Sequence, residues 1–121
     1  VQKAIDDGAE IVLEVDVNGA KNVLKQFPEA ISIFIMPPSF ETLAKRLSSR
    51  GTESDEQIKG RLKAALDEIK QADIYDYIVV NDVLCEAVED VISIIVSNRS
   101  KKERQINLIK EVLDDAKSCN W

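Results

Sequence analysis

The spacing of apolar residues changes period several times along the chain, and each change marks an element. Residues 1–7 read as the last turns of a helix, with Gly8 able to close it in a left-handed conformation. A helix that opens at residue 1 without an N-cap suggests a chain that starts inside an element. In residues 10–16, Ile11, Leu13 and Val15 alternate with Val12, Glu14 and Asp16, which is the period of a strand. A helix follows from Asn18-Gly19 through Phe27. Gly19 would let its start lie close to a neighbouring backbone, and Pro28 ends it.

Residues 30–36 are nearly all apolar, as expected of a strand covered on both faces. Pro37-Pro38 break this run. Ser39 caps a helix from Phe40 to about Arg50, with Leu43 and Leu47 on its buried side and Gly51 as its stop. Ser54 and Gln57 form a capping box, and the helix they open carries Ile58, Leu62, Ala65, Leu66 and Ile69 as one stripe. Residues 76–81 are a third strand. The helix over 83–97 sets Leu84, Val88, Val91 and Ile95 on one face. Ser100 and Glu103 form another capping box, opening a last, packing helix with Ile106, Ile109, Leu113 and Ala116 in line.

Strands alternating with helices predict an α/β fold, a parallel sheet with flanking helices. No repeat or linker interrupts the first 97 residues, and 98–121 read as a helical extension. At 121 residues this is one domain or part of one. With 45% hydrophobic and 31% charged residues, the chain can bury a core and is not of disordered composition.

Charge narrows the function. A formal net charge of -6 argues against a general nucleic-acid binder, yet leaves room for a small phosphorylated ligand held by a local basic cluster. No apolar run reaches the length of a membrane span, and no signal peptide is visible. The absence of histidine removes Ser-His-Asp catalysis and most zinc sites. Carboxylates, arginines, backbone amides and a hard metal such as magnesium remain. Cys85 and Cys119 lie far apart without a disulfide framework, which fits a reducing, cytoplasmic setting.

The candidate chemistry gathers where two helices meet at Gly51. Arg46, Arg50 and Arg61 lie on or beside this joint, and Arg50 and Arg61 are about three helical turns apart. If the joint folds over, both guanidinium groups can enter one space and offer paired forks of donors to phosphate. A solvated helical hairpin with ordinary surface arginines has the same spacing. Glu14 and Asp16 fall together at a strand's C-terminal end, where open parallel sheets bind ligands, and they also read as edge-strand charges facing water.

The wording of the joint, RLSSRGTESDEQIKGRL from Arg46, resembles the lid of the guanylate kinases. Residues 12–20 (VLEVDVNGA) are similar to the strand of that family that carries its acidic pair. Residues 27–39 (FPEAISIFIMPPS) resemble the next strand and its Pro-Pro-Ser turn. Residues 77–82 (YIVVND) resemble the strand that ends beside the adenine. The four segments are collinear over roughly 1–97, which is far more specific than any one of them.

The resemblance implies part of a P-loop nucleoside monophosphate kinase fold, with a helical lid at about 40–72. It implies transfer of the terminal phosphate of ATP, with magnesium, to GMP. At matching positions Asp16 would accept a hydrogen bond from guanine, and Glu14 would sit near magnesium through water, with no direct protein ligand to the metal. Arg50 and Arg61 would reach the transferring phosphates. Asn81 and Asp82 would lie against the adenine, and Arg46 would support the lid or the nucleotide. The alternative is a non-catalytic guanylate-kinase-like module that binds peptides.

The departure from the family pattern is a missing loop. The glycines are at 8, 19, 51 and 60, and no Gly-rich loop ends in Gly-Lys-Ser or Gly-Lys-Thr. In the family that loop and the GMP-gripping segment would precede residue 1, so the chain reads as the C-terminal half or slightly more. Removing the P-loop strand would leave a gap in mid-sheet. Either strands 10–16 and 31–36 close up directly, or the exposed sheet makes a homo-oligomer. Without P-loop amides and lysine, the 121-residue chain alone is expected to form no ADP in a GMP-dependent coupled assay.

Overall fold

The computed structural model describes residues 2–8, 10–49, 51, 53–119; the side chains of residues 2 and 4 are outside the description. The described chain falls into two compact units, residues 1–32 and 33–121.

The first unit holds α1 (Gln2–Asp6) and α2 (Val17–Gln26). Gly8 follows α1 with φ of 88°, the left-handed conformation expected of it, and its N–H reaches back to the Ile5 carbonyl at 2.9 Å. Helix α2 begins at Asp16, whose carboxylate caps it, and buries Val17 and Ala20.

Residues 10–16 do not form the expected strand. Ile11, Leu13 and Val15 are exposed, and Val12 is 80% exposed. Alternation supplies two faces, but a strand also needs a partner ladder, and none forms here among the described residues.

The second unit is built on one parallel pair, β1 (Ile33–Met36) and β2 (Tyr77–Val80). Ile33 registers with Tyr77 and Met36 with Val80, and the Asn81 N–H extends the ladder to the Met36 carbonyl at 2.8 Å. Both strands are shorter than their apolar runs, because the ladder stops where the partner stops. Phe34 and Val79 are buried, and the Phe34 ring meets Tyr75 edge to face, with centroids 5.1 Å apart. Ile35, Ile78 and Val80 are about half exposed, so the expectation of cover on both faces fails.

Helices α3 (Phe40–Ser48) and α4 (Asp55–Ile69) form the hairpin between the strands. Ser39 caps α3 by accepting from the Thr42 N–H at 3.1 Å. Gly51 lies in the joint with φ of 65°. The capping box at Ser54 is present in both directions, at 3.2 Å to the Gln57 N–H and 2.9 Å from the Ser54 N–H to Gln57 Oε1. A 3-10 turn, Ala72–Ile74, leads into β2, and α5 (Leu84–Arg99) packs on β2, with Ala87 its buried residue.

Two helical expectations need correction. On α5, Leu84 is 70% exposed and Val88 is also exposed, while Ala87 is the buried residue of the helix. The last helix, α6 (Lys102–Ser118), is capped at Lys101 with no side-chain bond, so the Ser100–Glu103 capping box does not form. Ser100 instead closes α5, its N–H donating to the Ser97 carbonyl. Ile106, Ile109 and Leu113 are exposed, and α6 is not the packing helix that its stripe suggested.

Phe34→Ala removes the largest side chain of this small core and is expected to cost about 3 kcal/mol. Ser54→Ala removes one cap and should cost about 1 kcal/mol. The ratio of the two effects can be read from the shifts of the urea midpoint.

Candidate functional site

The C-terminal end of a parallel strand pair is where both strands deliver their next residues to the same side of the sheet. Here β2 delivers Asn81 and Asp82, and β1 leads through its prolines into α3. The last turn of α3 carries Arg46. Its Nη1 donates to the Asn81 carbonyl at 2.7 Å, and Nη2 reaches the Asp82 carbonyl at 3.4 Å. The planar fork of the guanidinium spans two successive carbonyls, one from each terminal nitrogen. Arg46 thus ties the base of the α3–α4 hairpin to the end of β2. Sequence spacing could not show this, since the partners are 35 and 36 residues away.

Beside this tie an open apolar groove is lined by Ile35, Asn81, Leu84, Val88 and Ile92. Asn81 gives it a polar edge.

Arg61 lies on α4 and pairs with Glu53, through Nη1 and Oε1. Sequence reading identified Arg61 and missed this partner. The signal that could have found it is negative: Gln57, Ile58, Ala64 and Ala65 surround Arg61 on its helix, and none is acidic. Arg50, the other guanidinium expected at the joint, lies outside the described residues, as does Thr52.

Glu14 and Asp16 belong to the first unit, and both are exposed. Asp16 is the N-cap of α2, its Oδ1 accepting from the Gly19 N–H at 2.7 Å. The expected role of Gly19 changes with this. A Cβ there would lie 2.9 Å from the Val15 Cβ and 3.1 Å from Asp16 Oδ1, so glycine makes room for the cap itself. A carboxylate has two acceptor oxygens, and a cap occupies one. Among the described residues no three carboxylates or thiols gather as a metal site, and no helix is long and apolar enough to cross a membrane.

Comparison with known proteins gives this geometry its family. The family model described as guanylate kinase matches residues 1–98. The chain belongs to the guanylate kinase family. It is 44% identical over 118 residues to a guanylate kinase of Oceanobacillus iheyensis, covering 98% of this chain and 57% of that protein. It is 46% identical over 109 residues to one from Neisseria meningitidis serogroup A, covering 90% and 53%.

Among solved structures, guanylate kinase from Anaplasma phagocytophilum superposes with a TM-score of 0.78 at 31% identity, over 98% of this chain and 56% of that one. The chain thus spans little more than half the length of these relatives. The guanylate kinase fold expected from the sequence is shown, as is the family.

Asp16→Ala should lose about 1 kcal/mol of stability by removing the cap of α2, whereas Asp16→Asn keeps an acceptor oxygen and stays close to the wild type. Thermal melts of the two variants check this.

Proposed function

We propose that this chain is the part of a guanylate kinase that supplies one wall of the nucleotide cleft and its lid, in an enzyme that transfers the terminal phosphate of ATP to GMP. The observation that carries the reading is the Arg46 tie, which links the hairpin bearing Arg61 to the end of β2 at Asn81 and Asp82. A hairpin anchored at the strand ends can swing its far arginines over a ligand seated there.

In this reading Arg50 and Arg61 act as catalytic groups on the phosphates. Phosphoryl transfer gains mostly from alignment and from neutralising charge on the equatorial oxygens, and a guanidinium does both without moving a proton. Asn81 and Asp82 bound the adenine. Arg46 has its donors on their carbonyls and leaves a planar face for stacking. Asp16 recognises guanine with the carboxylate that also caps α2, and Glu14 stands near the phosphates. Magnesium would accompany ATP. In this reading Glu14 would approach it through water rather than as a direct ligand, and no step is routed through it here. The lid spans about 40–72 and residues 98–121 are a helical extension. The exposed, free thiols of Cys85 and Cys119 support a reducing, cytoplasmic setting.

The test joins this chain to the part of the Neisseria meningitidis relative that the match leaves uncovered. The folded chimera is expected to form ADP only when GMP is present. Arg61→Ala should lower its kcat about a hundredfold, and Asp16→Asn should raise KM for GMP while sparing kcat. A chimera with a cooperative melt and no GMP-dependent ADP would refute the reading.

A further inference from the structure

Arg61 has no acidic neighbour one turn away on α4, so its own helix cannot hold the guanidinium by charge. Its partner comes from outside the helix, one residue before the N-cap. Gly51, left-handed at φ of 65°, turns the chain after α3. The Ser54–Gln57 capping box then fixes the direction in which the chain enters α4. These two devices bring the Glu53 carboxylate alongside Arg61, where Oε1 meets Nη1. The Arg61 side chain is 41% exposed and that of Glu53 27%. An ion pair this open contributes little to stability, so the consequence of the contact is geometric.

We propose that Glu53 is a positioning residue for Arg61, holding one edge of the guanidinium so that its remaining donors are presented to a phosphate group. This rests on the reading of Arg61 as a phosphate-binding group. A guanidinium carries five N–H donors in a rigid plane, and fixing one nitrogen sets the direction of the others. An arginine held before the ligand arrives loses less rotamer freedom on binding it.

The test uses the 121-residue chain, labelled with nitrogen-15, and follows the Arg61 guanidinium by NMR. In the wild type, hindered rotation is expected to give separate Nη signals. Glu53→Ala should merge them, and Glu53→Gln should restore the separation in part. Both variants should melt within about 4 °C of the wild type, a readout that a merely structural role would move further. In the folded chimera described above, which restores the uncovered part, inorganic triphosphate should shift the Arg61 signals while leaving the two Nη resonances distinct.

Free rotation of Arg61 in the wild type, or a separation indifferent to Glu53→Ala, would overturn the proposal. So would collapse of the separation on adding triphosphate, which would make Glu53 a stand-in anion that the ligand displaces. If the pair is intact but triphosphate leaves Arg61 unmoved, the phosphate-binding reading has failed instead, and that pattern is distinct from loss of the pair.

Discussion

The parallel ladder between β1 and β2 carries the arrangement of the second unit. Its register, from Ile33 opposite Tyr77 to Met36 opposite Val80, brings the two strand ends side by side. Everything the candidate site uses in this unit hangs from those ends. The chain leaving β1 becomes the α3–α4 hairpin, and the chain leaving β2 supplies the carbonyls that Arg46 holds. A slip of one residue would turn Phe34 and Val79 away from the core and move Asn81 out of reach of Arg46.

The core that supports this ladder is small. Val17 and Ala20 serve the first unit, and Phe34, Ala72, Val79 and Ala87 serve the second. Against these stand Val12, Leu84, Ile78, Val88, Ile92 and Leu113, all exposed. A parallel sheet ordinarily has cover on both faces, and here one strand pair has part of it. The chain spans little more than half the length of the relatives it matches. Two strands and a handful of buried side chains leave little margin, so the caps at Asp16, Ser39 and Ser54 matter more than they would in a larger core.

Under the proposed function, single residues in each unit would serve structure and chemistry together. Asp16 caps α2 with one oxygen, and the same carboxylate is the candidate for base recognition. Arg46 uses its donors on backbone carbonyls, which makes it a brace before it is anything else. Arg61 is paired to Glu53 rather than left in water. Each pairing limits where the charged group can point, a restriction that would serve the proposed phosphoryl transfer.

Much of this was legible in the chain itself. Helix starts and stops depend on local chemistry, so Ser39, Ser54, Gly8 and Gly51 could be placed from their neighbours alone. The collinear motifs carried the family because they record many local constraints at once. What local pattern could not decide was partnership. Residues 10–16 alternate as a strand does, yet a strand exists only where another backbone completes its hydrogen bonds. Apolar stripes on α5 and α6 marked faces without saying what would cover them, and Leu84 and Leu113 are exposed. Arg46 found its carbonyls 35 and 36 residues away, and Arg61 found Glu53 across a cap. Those contacts depend on where distant backbone arrives, which only the folded chain determines.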